Sequence, residues 1–347
     1  MDANSSLFRL VHLQNLDLSD NDFNYSQIPS KIGELSNSIF SGEVPPQVSQ
    51  LSKLLCLDLG SNPKTSPKVR EVNPLKLKLS SLKSIIQNST KLEILLLSYV
   101  TISSTLPDTL TNLTSLKAIS LYNSELYGEF PIGVFHLPNL ELLNLRYNPN
   151  LNSRLPEDTG LYGTLPVSIR KLSSLLILSI RNRHFFGYIP SLGNLTQLMS
   201  ISLQNNKFRD DPSASLANIT KLSHLVIGSN EFTIETISWI GKLSSLIAFD
   251  ISSVNIKGEI PLSFSNLTQL EVIDASNSNI KGEIPSWIIN ITNLAVLNLR
   301  SNFFHGNLEL ETFLKLKNLV VLDLSVNKLS LIVGKSTSNV LILECAC

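Results

Sequence analysis

The chain has 347 residues, with 28 basic and 28 acidic side chains, so it carries no net charge at pH 7. This balance gives no field that would attract nucleic acid or an anionic membrane surface. Hydrophobic residues make up 43% of the chain, but Asp323 and Lys328 interrupt the best apolar run before it reaches the about 18 residues of a membrane helix, so no membrane span is predicted.

One pattern, Leu-x-x-Leu-x-Leu-x-x-Asn, recurs at a fixed interval. Its first leucine stands 24 residues apart at Leu198, Leu222, Leu246, Leu270 and Leu294. A repeat of this length is typical of a solenoid, in which each coil buries its apolar face only against its neighbours. The second and third leucines of a unit are two residues apart, so in an extended strand they share one side. The repeat therefore predicts a parallel sheet with a leucine interior and an open outer face.

The asparagine that closes a unit is predicted to satisfy backbone groups where the strand turns away, because buried backbone donors and acceptors need partners. This asparagine is found at Asn206, Asn230, Asn302 and Asn327. Val100 and Val254 take its place in two units, and we predict weak points there.

In chain order, the first strand is predicted around Leu16. The interval near residues 36–40 is eight residues shorter than in a regular unit, and a second short interval lies near 156–162, so each is predicted to have lost its strand. Each loss is expected to dent the sheet or to force a neighbouring segment to pair in its place. Twelve intact strands are predicted, in a solenoid over 1–333 that is followed by an irregular tail at 334–347.

Residues 63–91 form an insertion that makes one unit 14 residues longer than the period. In its later part, Leu82, Ile85 and Ile86 stand at helical spacing, which predicts a short amphipathic helix on the outer side. The insertion is rich in lysine. This favours a solvated face on a longer unit, with a basic docking loop as the alternative.

A second motif, Gly-x-(apolar)-Pro, follows the strand in several units. It stands at 42–45, 128–131, 163–166, 187–190, 258–261 and 282–285. With the leucine pattern, it resembles plant-type leucine-rich repeats, and the order of features is similar to the extracellular part of plant receptor-like proteins, which have a membrane span but no kinase. The resemblance covers about nine tenths of the chain.

The resemblance implies an α/β fold: a curved superhelix with a parallel β-sheet on its concave face and short helical or 3-10 turns on its convex side. It also implies a place on the extracellular side of the plasma membrane, a peptide or protein ligand, and a partner kinase as co-receptor. No apolar signal core stands at the N-terminus, so we expect a truncated product or an incomplete gene model.

The residues that project from the predicted strands are mostly Ser, Asn or Asp. Between 122 and 204, however, aromatic and cationic residues of the kind enriched in binding hot spots take these positions. The candidate ligand-binding residues are Tyr122, Arg146, Tyr147, Arg181 and Gln204.

Six Asn-x-Ser/Thr acceptors are the candidate glycosylation sites, most of them just before a strand. They are Asn88, Asn112, Asn194, Asn218, Asn266 and Asn290. Glycans there would line one flank and leave the strand face clear. The alternative is a turn that uses Asn and Thr only for local hydrogen bonds.

The five histidines lie in separate units without metal spacing or a nucleophile partner, so no catalytic residue, metal site or cofactor is predicted. The sequence favours ligand or protein recognition by the extracellular part of a plant receptor-like protein, in defence or developmental signalling. One alternative is a soluble secreted binder that inhibits microbial enzymes. The other is a truncated, non-functional gene copy.

Overall fold

The computed structural model describes residues 12–17, 42–60, 75–148, 150–152, 164–181 and 185–332. The chain divides into two compact units, Met1–Pro190 and Ser191–Cys347. The two shortened intervals near 36–40 and 156–162, the first part of the insertion and the tail at 334–347 fall outside the described residues. The predicted boundary at 333 therefore stays a prediction.

The first unit is built around six short parallel main strands, and its described residues also form five flanking strands. Its strands are β1 Asn15–Asp17, β2 Gly42–Glu43, β3 Cys56–Asp58, β4 Leu75–Lys76, β5 Ile94–Leu96, β6 Ala118–Ser120, β7 Tyr127–Glu129, β8 Leu142–Asn144, β9 Asn150–Asn152, β10 Ile177–Ser179 and β11 Phe186–Gly187. The main strands pair in the order β1-β3-β5-β6-β8-β10. The flanking strands form the pairs β2-β4 and β7-β9.

Helices of the first unit lie between its strands. One is the α-helix α1, Leu79–Asn88, and the others are 3-10 helices at Pro46–Gln50, Asp108–Asn112, Ile132–His136 and Val167–Lys171. The α1 helix was predicted from the insertion, and Leu82, Ile85 and Ile86 form its buried side. Asn88 Nδ2 fixes the end of α1 by donating to the Ser49 carbonyl at 2.9 Å.

The second unit repeats the same plan. Its strands are β12 Ser200–Ser202, β13 Lys207–Asp210, β14 His224–Val226, β15 Glu231–Ile234, β16 Ala248–Asp250, β17 Asn255–Ile256, β18 Val272–Asp274, β19 Lys281–Gly282, β20 Val296–Asn298, β21 Phe303–Glu309, β22 Val321–Asp323 and β23 Lys328–Ile332. Its helices are α2, Ser213–Leu216, and 3-10 helices at Ser238–Lys242, Leu262–Asn266, Ser286–Asn290 and Leu310–Lys315.

Six main strands of the second unit pair in parallel in the order β12-β14-β16-β18-β20-β22. The flanking strands pair as β13-β15-β17 and β19-β21-β23. With the six of the first unit, the described residues hold twelve main strands, the number predicted.

The leucine interior is confirmed within each unit. In eleven of the twelve main strands the central residue is buried while its two neighbours face the other side, as in β8, where Leu143 is fully buried between Leu142 and Asn144. The exception is β22, whose central Leu322 is half-buried. Neighbouring strands pair without a shift, so that Leu225, for example, faces Phe249. Because the side-chain period of a strand is two, this register keeps all the apolar residues on one side.

The strands on either side of each shortened interval pair directly with each other. Strand β1 pairs with β3, with Leu16 opposite Leu57, and β8 pairs with β10, with Leu143 opposite Leu178. The main strands that flank each interval therefore pair with each other in the first unit, while the loss of a strand within the intervals stays a prediction.

The asparagine at the end of a unit hydrogen-bonds with backbone groups, as predicted. Asn302 Nδ2 donates to the carbonyls of Ala275 at 2.8 Å and Leu299 at 3.0 Å. Its Oδ1 accepts from the N–H groups of Ser278 and Ile280. Comparable bonds to backbone carbonyls are made by Asn148, Asn206, Asn230 and Asn327.

In the two repeats that have valine at the closing position, the backbone carbonyls have more hydrogen-bond partners than the sequence suggested. Next to Val254, the Ser278 hydroxyl of the following unit donates to the Ile251 carbonyl at 2.8 Å, which a closing asparagine would otherwise bond. Ser124 makes the corresponding bond beside Val100. In both cases a serine one repeat later therefore offsets part of the predicted loss of stability.

These observations confirm the fold class: each unit is an α/β leucine-rich repeat solenoid, with a parallel sheet on one side and mostly 3-10 helices in the connections. Among the described residues, no helix has the length and apolar character needed to cross a membrane.

Candidate functional site

The projecting side chains of the first unit form three rows across its strands. The apolar row holds Ile94, Ala118, Leu142 and Ile177. The middle row holds Leu96, Ser120, Asn144 and Ser179. The outer row, two residues further along, holds Ser98, Tyr122, Arg146 and Arg181. The rows arise because strand residues two apart share a face and the strands pair in register.

The residue after the outer row turns the chain with a left-handed backbone. In most units this residue is Asn or Ser, types that enter this region more readily than others. In the first unit, however, Tyr99 has φ 63° and Tyr147 has φ 59°. Left-handed backbone at a bulky residue costs of order 1 kcal/mol. Two such tyrosines therefore occupy positions that serine or asparagine would fill with less strain.

Five side chains of the outer row and the turn meet in one cluster, which we call the Tyr/Arg cluster. It consists of Tyr99, Tyr122, Arg146, Tyr147 and Arg181. The Tyr122 ring lies 4.9 Å from Tyr99 and 4.9 Å from Tyr147, centroid to centroid. Both arginines lie over tyrosine faces, since Arg146 Cζ is 5.9 Å from Tyr122 and 5.7 Å from Tyr147, and Arg181 Cζ is 5.1 Å from Tyr147.

The surroundings of Tyr99 in the Tyr/Arg cluster favour its neutral form. Burial raises the pKa of Tyr99 above its usual value of 10.0, and its hydrogen bond with Tyr122 raises the pKa further. The Arg146 Nε is buried, and within the described part of the chain it has no hydrogen-bond acceptor. A guanidinium stays charged in proteins, so this buried N–H group costs free energy as long as it has no hydrogen-bond acceptor. A ligand that supplies an acceptor removes that cost.

Four of the five predicted ligand-binding residues belong to this cluster. Gln204 lies in the second unit, where its Nε2 donates to Asp250 Oδ2 at 2.8 Å across the strand between them. The close approach needs Gly228, because a Cβ at this glycine would stand 2.5 Å from Asp250 Oδ1. Gln204 is therefore held by a hydrogen bond within the second unit.

The strand face of the second unit is acidic and internally bonded. Asp274 Oδ1 accepts from the Ser276 N–H and hydroxyl, and its Oδ2 accepts from Asn298. Asp323 makes the equivalent bonds with Ser325. Burial alone would raise the pKa of Asp323, but the bonds from Ser325 and the charge of Arg300 outweigh it, so the pKa lies below its usual value.

Tyr99 was missed by the sequence reasoning. It lies at the turn position of its unit, beyond the residues that project from the strand, so the alternating pattern did not include it. The signal that could have found it was Tyr147, which occupies the same turn position two repeats later and was already a candidate.

The six candidate glycosylation asparagines are all exposed. Four of them end a helix: Asn88 ends α1, and Asn112, Asn266 and Asn290 each end a 3-10 helix. These four asparagines thus lie on the connections between strands.

The fold places each unit in the class of leucine-rich repeat solenoids, and the Tyr/Arg cluster is the candidate site on the first of them. The Leucine Rich Repeat family model matches residues 269–291. Neither this fold nor the relatives described below belong to an enzyme class.

Among curated proteins, the chain is similar to plant receptor-like proteins. It is 39% identical over 214 residues to Receptor-like protein 6 of Arabidopsis thaliana, covering 59% of this chain and 20% of that protein. It is 38% identical over 162 residues to the Receptor-like protein Cf-9 homolog of Solanum lycopersicum, covering 44% and 18%. The predicted resemblance is confirmed, and the matched region spans about a fifth of the length of these relatives.

Solved structures of plant receptors share the fold. A crystal structure of a TDR receptor superposes with a TM-score of 0.72 at 26% identity, covering 93% of this chain and 49% of that one. The plant peptide hormone receptor RGFR1, solved in complex with RGF2, has a TM-score of 0.61 at 21% identity, covering 93% and 53%. At 21% identity, the second likeness concerns the fold alone.

Proposed function

We propose that this chain is part of the ligand-recognition region of a plant cell-surface receptor-like protein and that the Tyr/Arg cluster binds a peptide or protein ligand. The observation that carries the proposal is the convergence of three tyrosines and two arginines on one strand face. Tyr and Arg are enriched in binding hot spots: Tyr offers a large contact area with few torsions to fix, and Arg offers several hydrogen-bond donors on a planar cation.

The backbone of the site supports the same proposal. Tyr99 and Tyr147 hold a left-handed backbone in which a tyrosine is costly, and such cost is often retained where it serves function. Strain alone marks no site, because Val326, at the same turn position of the last described repeat, also has a left-handed backbone, with φ 56°. The strained tyrosines of the first unit differ because they share a cluster with two cations.

The relatives support the wider context. A receptor-like protein at the plasma membrane would present this face to the extracellular space and, without a kinase of its own, pass the signal to a partner kinase. The identities of 39% to Receptor-like protein 6 and 35% to Receptor-like protein Cf-9 support a receptor role, and we propose that this role belongs to defence or developmental signalling.

The test uses the whole chain, immobilised, and a displayed library of random peptides. Peptides selected on the wild type are measured again on Tyr147→Ala and Arg181→Ala, with Tyr127→Ala and Arg170→Ala as matched controls in the same unit. Tyr127 lies on a flanking strand and Arg170 on a 3-10 helix, both exposed. We expect at least tenfold weaker retention on the two cluster variants, about 1.4 kcal/mol, and no change on the controls. Equal retention on all four variants would refute the site.

A further inference from the structure

The three rows of the first unit differ in chemistry, and the difference selects a ligand. The apolar row offers Ile94, Ala118, Leu142 and Ile177, of which Ile177 is 37% exposed. The outer row offers two cations. Four residues separate the two rows along a strand, which is about 13 Å at the usual rise of an extended chain.

The middle row between them is mostly polar. Asn144 Nδ2 donates to Ser120 Oγ at 3.3 Å, and Ser120 Oγ also contacts the Ser98 hydroxyl at 2.8 Å. The hydroxyl of Ser179 is buried and has no partner among the described residues. Amide and hydroxyl groups of this kind are suited to hydrogen bonds with a peptide backbone.

Arg146 supplies the charge argument. Its guanidinium is held over two tyrosine faces, and its buried Nε has no acceptor in the described part of the chain. No ion pair of Arg146 is found among the described residues either, whereas lysines elsewhere in the unit pair with carboxylates, such as Lys117 with Glu93 at 2.6 Å. A charged group with a hydrogen-bond donor left over attracts an anionic acceptor.

We infer that the ligand is an extended peptide segment in which acidic side chains alternate with apolar ones. Its backbone runs along the middle row, across the strands. Because successive side chains of an extended chain point to opposite sides, alternate residues meet the apolar row and the outer row. The carboxylates of Asp or Glu side chains then pair with Arg146 and Arg181, while the other residues cover Leu142 and Ile177.

The size of the site sets the length of the segment. Four neighbouring strands, β5, β6, β8 and β10, carry the rows, and three spacings of about 4.8 Å make a track of about 14 Å. At about 3.3 Å per residue, this track contacts four to five residues of an extended peptide. Two of these peptide residues carry the acidic side chains. The inference rests on the proposed function, since it names the ligand class of the same site.

The experiment reads the composition of the selected peptides. Random octapeptides are displayed with their C-termini fused to the carrier, so that side chains are their only carboxylates, and a second library presents free C-termini. We expect sequences from the fused library with Asp or Glu at alternate positions and apolar residues between them. Their retention should fall at least tenfold on Arg146→Gln and not on Arg170→Gln.

Folding and alternative outcomes are separable. Far-UV circular dichroism and thermal unfolding check each variant, and Arg146→Lys, which keeps the charge but lacks Nε, should lose less than Arg146→Gln. Peptides that depend on Tyr147 but show no acidic alternation, or that require a free C-terminus, overturn this inference and leave the proposed function intact. Peptides that ignore the Tyr/Arg cluster, or libraries that yield no enriched sequence, contradict both.

Discussion

At the scale of single residues, the buried asparagine ties one coil to the next. Asn302 bonds two carbonyls and two N–H groups, whereas Ser278, at the same position one unit earlier, has only a hydroxyl and bonds the Ile251 and Ser276 carbonyls. Leaving a buried backbone group without its partner costs about 1–3 kcal/mol. Asn302→Ala should therefore lower the free energy of unfolding by roughly 3 kcal/mol or more, and Ser278→Ala by about 1–2 kcal/mol.

Urea unfolding followed by circular dichroism measures this order. Asn255→Ala is the control, because Asn255 is exposed and, among the described residues, its side chain accepts one hydrogen bond, from Asn279 at 3.2 Å. Substitutions of this kind at the surface change the free energy of unfolding by at most about 0.5 kcal/mol. If Asn302→Ala proved no more damaging than Asn255→Ala, the asparagine would not hold the coils together.

Tyr99 gives a prediction on pH dependence. Its pKa is raised in the folded chain, so between pH 10 and the folded value an unfolded chain releases this proton and the folded chain does not. The stabilisation is complete below pH 10.0 and is lost as pH rises through the folded pKa. Unfolding of the wild type should therefore become easier above pH 10 more steeply than that of Tyr99→Phe, which carries no such proton. Parallel pH profiles of the two proteins would contradict the raised pKa.

At the scale of elements, the repeat that contains strand β18 leaves a small cavity in the core just after that strand. Ala275 stands where the neighbouring units have Ile251 and Leu299, and it lines an apolar cavity of about 10 Å³ together with Ile273 and Phe264. A larger side chain there adds buried apolar contacts, at about 0.8 kcal/mol per methylene, until overpacking begins. Ala275→Val should raise the free energy of unfolding by about 0.5–1.5 kcal/mol in a thermal or urea melt. Ala275→Phe, which exceeds the space, should lower it.

The prediction for Ala275 has an internal comparison. Ile251→Val, one unit earlier, removes a methylene from a filled position and should cost about 0.5–1.5 kcal/mol. A gain at residue 275 with a loss at residue 251 would identify the cavity as the cause, since both changes place valine at the same point of the repeat. A loss at both positions would show that the core around Ala275 is already filled.

At the scale of the whole molecule, the repeat made most of the fold predictable. A fixed interval assigns each leucine to the interior and each neighbour to the face, so twelve strands, the register and helix α1 followed from spacing alone. The candidate site followed less completely. Gln204 was chosen as a projecting residue, but its bond to Asp250 depends on the small Gly228 between them, which the alternation of a single strand does not reveal. Tyr99 was missed because the turn that directs it into the cluster lies outside that alternation.

Glycosylation tests the placement of the molecule as a whole. If the chain passes through the secretory route, as the proposed cell-surface role requires, exposed asparagines on the connections should carry glycans. Thr268→Val removes the acceptor at Asn266 without changing the asparagine, which ends the exposed 3-10 helix Leu262–Asn266. Secreted from plant cells behind an added signal peptide, this variant should lose one glycan by intact mass, while Thr233→Val, outside any acceptor, should lose none. Glycans at Asn88 and Asn112 would leave the Tyr/Arg cluster uncovered, because both asparagines end helices in the connections of the first unit. Secreted chain without any glycan would count against the cell-surface role.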